Sequence, residues 1–299
     1  MKLTDLAKEG IEIRRQVPLS KYTFTKTGGP AEFLAFPQNE TELKKLVVTT
    51  YNNKIPLTII GNASNLIIRD GGISGLVIIL TNMNQIKVQK TKVIAQAGAT
   101  IVDTAFTAAG SCLSGLEFAA GIPGSVGGAV FMNAGAYGGE TCNAIENVKV
   151  LTRSGKIKNY AREDMKFSYR HSLVQETGDI VLEATFALKS DVKSRILADM
   201  NYLNALRKYK QPLEYPSCGS VFKRPAGHYV GPMIIQAGLQ GKQIGGAQDS
   251  TKHAGFIVNK GNATATDYLD LIHLIQKRVK SQFGLDLHTE VRIIGNPKD

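Results

Sequence analysis

Gly121-Ile122-Pro123-Gly124-Ser125-Val126-Gly127-Gly128-Ala129-Val130-Phe131-Met132-Asn133-Ala134-Gly135-Ala136-Tyr137-Gly138-Gly139 is the stretch on which the reading of this 299-residue chain turns. Interspersed small residues let backbone N–H groups approach an anion closely and form the concave nest that binds phosphates. Upstream, Ile59-Ile60-Gly61-Asn62-Ala63-Ser64-Asn65-Leu66 leaves an expected strand through a small polar loop with further N–H, hydroxyl and amide donors. Either segment alone is compatible with a tight turn in a crowded β domain. The two together point to a dinucleotide held by its pyrophosphate.

The usual fingerprints for such a ligand are missing. No two of the 30 glycines are separated by a single residue, so G-x-G-x-x-G is absent. Gly155-Lys156 and Gly241-Lys242 are followed by Ile157 and Gln243, so there is no P-loop, and G-x-S-x-G is also absent. Three widely spaced cysteines, Cys112, Cys142 and Cys218, exclude a disulfide scaffold and a cysteine-rich zinc site, and no cluster has metal-ligand spacing. They favour a reducing, cytoplasmic compartment. Residues 1–10 carry charge throughout and cannot form a signal-peptide core, and no apolar run reaches the roughly 20 residues of a membrane span. The net charge of +11 is dispersed over both ends of the chain, without basic runs or interleaved aromatics. That argues for solubility or attraction of small polyanions, and against nucleic acid.

With 43% apolar residues, the chain can bury sizeable cores, and its elements read as α+β. Ala31–Pro37 is an expected strand, and Asn39-Glu40-Thr41-Glu42 a capping-box-like start for a helix with Leu43, Leu46 and Val47 on one face. Leu57–Ile60 and Leu76–Leu80 look like buried strands, and Gln85–Ala97 like a strand pair. Thr100–Ala109 reads as a helix with Gly110 as its left-handed terminator. Arg153-Ser154-Gly155 reads as a turn between strands Val148–Thr152 and Lys156–Tyr160. Strand Ile180–Leu188 and a helix over Val192–Lys210 follow, the helix being the expected hinge into a C-terminal domain. There the order is strand Gly219–Lys223, helix Gly231–Ala237, strand Gly255–Asn259, helix Asp267–Phe283 and strand Glu290–Ile294.

Five ordered motifs carry a family resemblance: Gly61–Leu66, Gly121–Gly139, Tyr169-Arg170-His171-Ser172, Gly219-Ser220-Val221-Phe222-Lys223-Arg224-Pro225 and Glu290-Val291-Arg292-Ile293-Ile294-Gly295. The chain resembles the UDP-N-acetylenolpyruvoylglucosamine reductase family over nearly its whole length. The resemblance implies a PCMH (vanillyl-alcohol-oxidase) type FAD-binding fold of two α/β subdomains, residues 1–83 and 84–191, and an α+β substrate domain, 192–299. About thirty residues separate Leu188 from Gly219, which resembles the shorter type lacking an inserted substrate-covering tyrosine. FAD, held non-covalently, is implied to meet Gly61, Asn62, Ala63, Ser64, Asn65, Leu66, Gly121, Ile122, Pro123, Gly124, Ser125, Gly127, Gly128, Ala129, Asn133, Ala136, Tyr137 and Gly138.

The implied reaction belongs to peptidoglycan precursor synthesis. NADPH gives a hydride to FAD, and flavin N5 passes it to C3 of UDP-N-acetylglucosamine enolpyruvate, yielding UDP-N-acetylmuramate. Charge then grows on C2 and the carboxylate, so a clamp and a proton donor are needed. The resemblance assigns the proton to Ser220, the carboxylate clamp to Arg170 and a hydrogen-bonding or relay part to Glu290. Substrate contacts fall on Arg224, Lys223, Tyr169 and His253. The family commonly reads Leu-Lys-Gly before Ile-Gly-Gly-Ala; here the lysine position holds Gln240, with Lys242 as the candidate replacement. Cys218 stands where a small residue is commoner and reads as an inert buried thiol. A monomer without metal, membrane or nucleic-acid partners is expected. The alternatives are another PCMH-type flavin oxidase of an alcohol or amine, and a non-catalytic nucleotide-sugar binding protein.

Overall fold

The structure, a computed structural model, describes residues 5–6 and 10–298. Residues 1–4 and 7–9 of the charged opening stretch, and residue 299 at the end of the expected substrate domain, lie outside the described residues. The contacts divide the chain into two units: residues 1–15, 33–62 and 75–206, and residues 16–32, 63–74 and 207–299.

The first unit is built on two sheets. Strands β1 (Ile13–Pro18), β2 (Pro30–Ala35), β3 (Leu57–Ile60) and β5 (Ile73–Ile79) form a sheet of order β1-β2-β5-β3, β4 (Leu66–Ile68) belonging elsewhere. Helix α1 (Glu40–Asn52) links β2 to β3, and its start follows the expected capping logic. Asn39 Oδ1 accepts from the Glu42 N–H at 3.0 Å while Glu42 takes the Asn39 Nδ2 and Gln38 N–H groups at 3.1 and 2.9 Å. Leu43, Leu46 and Val47 are fully buried, as their spacing requires. Strands β6 (Ile86–Gln89), β7 (Lys92–Gln96), β8 (Ile145–Leu151), β9 (Ile157–Ala161) and β10 (Ile180–Ala187) form an antiparallel sheet of order β9-β8-β10-β7-β6. Helices α2 (Ile101–Gly110) and α3 (Val126–Met132) cover it. Helix α4 (Lys193–Lys210) buries Ile196 and Met200 in this unit's core.

The second unit holds a four-stranded antiparallel sheet. Its strands are β11 (Ser217–Ser220), β12 (Gln243–Ile244), β13 (Ala247–Asp249) and β14 (Phe256–Asn259), in the order β11-β14-β13-β12. Helix α5 (Val230–Gln236) and the long α6 (Ala265–Phe283) pack together beside it. Thr264 and Asp267 form a reciprocal capping box on α6, and Asp70 accepts from the Ala265 and Thr266 N–H groups, both at 2.9 Å. Three of the donors that a helix start leaves orphaned are thus satisfied. Strand β4 pairs in parallel with β15 (Arg292–Ile294), Leu66 lying opposite Arg292.

Three differences from the sequence expectations have local causes. Helix α2 keeps Gly110 as its last helical residue, and the left-handed conformation falls on Cys112 (φ 58°), because the Ser111 N–H still reaches back to Thr107 O. The strand expected at Gly219–Lys223 ends at Ser220; Val221 and Lys223 turn instead to Glu290 and His288. The glycine-rich run contains α3, hidden by Gly127-Gly128 in its first turn. One contact boundary falls at Leu206/Arg207, inside α4, whose Ile196 and Met200 are buried with the first unit.

Candidate functional site

In the loop after β3, Ala63 has φ 49°, a left-handed backbone that a residue with a Cβ adopts only at some cost. Among the described residues, no protein group accepts from the N–H of Asn62, Ala63, Ser64 or Asn65. Four successive unpaired donors around a left-handed residue make an anion-binding nest. Asn62 Nδ2 donates to Pro123 O at 3.1 Å, and a Cβ on Gly61 would collide with Ser125 Oγ, so the two small-residue loops meet as expected.

The second loop differs from expectation. The amides of Ile122, Gly124, Val126, Gly127, Gly128 and Ala129 all bond within the protein, to residues 97–99, 119–122 and 125. They are spent on the first turn of α3 and on the bridge to the segment before α2. This run therefore offers a ligand chiefly a close backbone surface, while four successive donors without a protein acceptor belong to residues 62–65. Asn133 is also committed: left-handed (φ 41°) and buried, it donates to Glu140 Oε2 and Ser168 O at 3.0 and 3.1 Å and accepts from Cys142 N–H at 3.0 Å. It fixes the hairpin in which Ala136 pairs Gly139 around Tyr137-Gly138. Both turn residues have positive φ, as a type I′ turn demands, and Tyr137 there is exposed.

Arg170 reaches this hairpin, its Nη2 donating to Gly135 O at 3.2 Å. The bridge between Ser168 and His171 presents Tyr169 and Arg170 at a turn, Arg170 at φ 55° with its guanidinium 4.9 Å from the Tyr169 ring centre. The first unit thus brings together Gly61, Asn62, the Gly121–Gly138 residues, Tyr169 and Arg170. A cavity of about 210 Å³ in this unit, lined by Val47, Thr50, Tyr51, Ile55, Leu57 and Arg153, involves none of them.

The second unit holds a separate group of the expected site residues. Gly219 (φ 76°) breaks the register between β11 and β14, since Ser217 pairs Val258 while Ser220 pairs Phe256. Such a bulge re-aims the next side chain, here Ser220. Its hydroxyl has only a long contact to Phe222 O, 3.5 Å, so its proton is weakly held. Val221 O accepts from the Glu290 N–H at 2.7 Å, and Asn65 Nδ2 donates to Glu290 O at 3.2 Å. Ser220, Glu290 and the nest residue Asn65 are thereby tied by consecutive hydrogen bonds.

The remaining residues lie on two nearby loops. Arg224 donates from Nε to His228 O at 3.3 Å, with its guanidinium 3.9 Å from the centre of the Tyr229 ring, a neighbour the sequence reading passed over. Lys223 is fixed at its backbone, donating to His288 O. Gln240 Nε2 donates to Thr251 O at 3.0 Å, so its amide closes the 249–255 loop. Lys242 is exposed, and His253 stacks at 4.7 Å on Phe256 with Nδ1 on Ala254 O. Cys218 is buried and its thiol pushed up to about 12 by that burial, which leaves it inert.

Comparison with known proteins agrees with this division of labour. Residues 31–160 match the FAD binding domain model, and residues 211–294 the model described as UDP-N-acetylenolpyruvoylglucosamine reductase, C-terminal domain. The UDP-N-acetylenolpyruvoylglucosamine reductase of Lactobacillus helveticus is 72% identical over 298 residues, covering 100% of both chains. The chain belongs to the UDP-N-acetylenolpyruvoylglucosamine reductase family. The Lactobacillus acidophilus reductase is likewise 72% identical, over 99% of each chain. The crystal structure of the Thermus caldophilus reductase superposes with a TM-score of 0.82 at 35% identity, covering 95% of this chain and 99% of that one. The fold is accordingly the PCMH-type FAD-binding fold with an α+β C-terminal domain, and the chain is an oxidoreductase of this reductase family. Among the described residues no helix is long and apolar enough to cross a membrane.

Proposed function

We propose that this chain reduces UDP-N-acetylglucosamine enolpyruvate to UDP-N-acetylmuramate with NADPH, Ser220 giving the proton and Arg170 and Glu290 stabilising the charge that precedes it. The observation that carries this reading is the hydrogen-bonded run from Asn65 through Glu290 to the residue after Ser220. It ties the proton donor's strand to Asn65 within the second unit.

A dinucleotide pyrophosphate suits this loop, because its four successive amides have no protein acceptor and flank the left-handed Ala63. Residues 62–65 would take the phosphates of FAD, and the backbone of Gly121–Gly128 with the Tyr137-Gly138 turn would lie against the rest of it. When bound, FAD supplies the two-electron relay by which hydride from NADPH reaches C3 of the enolpyruvyl group. The chain's own residues supply the rest. Arg170, permanently charged and anchored on Gly135 O, meets the substrate carboxylate as charge spreads into it. Ser220 Oγ transfers its proton to C2, completing addition of hydride and proton across the double bond. A serine hydroxyl is a weak acid, so the transfer requires extensive charge at C2, and Glu290 assists by hydrogen bonding to the carboxyl end. Arg224 and Lys223 receive the substrate diphosphate, with Tyr169, Gln240, Lys242 and His253 as further contacts. In this reading residues 1–83 and 84–191 hold the flavin, residues 192–299 the substrate, and the protein works as a cytoplasmic monomer.

Anaerobic stopped-flow spectroscopy tests the assignment. Ser220→Ala should leave bleaching of the flavin by NADPH at its wild-type rate while reoxidation by the enolpyruvyl sugar nucleotide slows by about a hundredfold or more, the range of a lost general acid. Equal slowing of both half-reactions would refute the role.

A further inference from the structure

We infer that Tyr229 is a positioning residue for the substrate diphosphate: its ring holds the Arg224 guanidinium in binding posture before substrate arrives. The inference rests on the assignment of Arg224 to the diphosphate and extends it to a residue that no motif marks.

The geometry begins at Phe222, buried and bridged to Thr289, which fixes where the chain emerges from the core. Arg224 follows, and Pro225-Ala226-Gly227-His228 then folds back in a turn closed by His228 N–H on Pro225 O at 3.1 Å, with Gly227 at φ 72°. A positive φ at the third position is the type II pattern, and it reverses the chain within four residues. The reversal sets Tyr229 against the residue that preceded the turn, with the guanidinium carbon of Arg224 3.9 Å from the ring centre and its Nε on His228 O. Two independent contacts thus restrain a long side chain that is otherwise exposed.

Tyr229 has little structural reason to be there. Its side chain is 62% exposed, so it contributes little to the core. It occupies the N-cap of α5 and makes no capping hydrogen bond, where Ser, Thr, Asn or Asp would satisfy an orphaned N–H. A local rule broken without local compensation marks a position kept for another purpose. Immobilising a flexible arginine on binding costs affinity, and a ring that has already ordered it removes that cost. A planar cation on a ring face also keeps its fork in one plane, which suits two parallel bonds to a phosphate.

The test is a double-mutant cycle in the FAD-loaded enzyme with steady-state kinetics for the UDP-sugar substrate. Tyr229→Leu should raise its KM about fivefold with kcat within twofold, the size expected for losing one restrained side chain. Tyr229→Phe, which keeps the ring face, should match wild type. Tyr229→Ser, which supplies the missing cap, should melt no lower than wild type yet show the same rise in KM, separating positioning from folding. Arg224→Gln should raise KM further, and adding Tyr229→Leu to it should change nothing more. If Arg224→Gln raises KM but Tyr229→Leu does not, or the two effects simply multiply, the positioning role is overturned while the Arg224 assignment stands. If Arg224→Gln leaves KM unchanged, that assignment fails and the inference with it.

Discussion

The Asp249 carboxylate is fully enclosed at the end of β13, with Oδ1 accepting from the Gly255 N–H at 2.8 Å and Oδ2 receiving no hydrogen bond among the described residues. Burial pushes its pKa from the usual 3.8 up to about 7, against the smaller downward pull of the Gly255 amide. The folded state therefore keeps a proton that the unfolded chain releases between about pH 4 and 7. Stability is highest below that window, falls as pH rises through it, and levels off above pH 7, by ~4 kcal/mol in all if burial is the whole cause. Asp249→Asn should flatten the dependence of melting temperature on pH over this range, with its largest relative gain near pH 8. Parallel curves for the two proteins would show that the carboxylate is not the group responsible. This pressure was invisible in the sequence, where Asp249 is one polar residue in a loop-like stretch. Arg170 is a similar case: its charge made it a clamp candidate in the sequence, which gave no sign of its left-handed backbone or its bond to Gly135 O.

At the scale of elements, the loop after β3 and the start of α3 are mutually fitted. Gly61 leaves room for Ser125 Oγ, which accepts from the Gly128 N–H at 3.2 Å and so caps α3. Gly61→Ala would place a methyl group in that space, displace the hydroxyl and shift the nest at residues 62–65. Loss of a serine cap alone costs about 1 kcal/mol. The larger expected effect is on the cofactor: FAD affinity, followed by quenching of flavin fluorescence, should weaken at least about tenfold, or ~1.4 kcal/mol. Gly110→Ala, at the end of α2 with open space around it and no positive φ, should bind FAD normally and be neutral or slightly stabilising. Equal affinities for Gly61→Ala and wild type would mean that the loop does not hold the pyrophosphate. Helix α1 was legible from its cap and apolar spacing because those signals act within a few residues. Strands of two or three residues such as β4, β12 and β13 were not, since their pairing partners supply the stability that their own sequences lack.

At the scale of the molecule, each unit has its own buried core, one containing Leu76, Val93 and Phe186, the other Phe222, Tyr268 and Ile275. The chain passes between the units repeatedly, so sequence order does not mark their limits. Pairing of β4 with β15 takes residues 63–74 into the second unit, although they are flanked on both sides by first-unit sequence. A ligand that binds only the folded chain adds its binding free energy to stability, about 2.7 kcal/mol at a hundredfold excess over Kd. Stripping FAD should therefore lower the melting temperature by several degrees, and titrating FAD back should restore it in proportion to the logarithm of concentration. Riboflavin, which lacks the phosphates that the proposed function assigns to residues 62–65, should restore much less. Identical melting with and without FAD would remove the cofactor from the folded state's account.

The amino-acid sequence alone determined the cap and apolar face of α1, the small-residue loops, the absence of the common nucleotide fingerprints and the five ordered motifs that carry the family. These depend on propensities and spacings that operate over a few residues. Tertiary structure decided which amides remain unpaired, how Ser220 and Glu290 become neighbours across seventy positions, and why Asp249 and Tyr229 sit where ordinary preference would not put them. Those outcomes depend on which distant segments share a core and which hydrogen bonds that packing leaves unmade, and no local pattern encodes either.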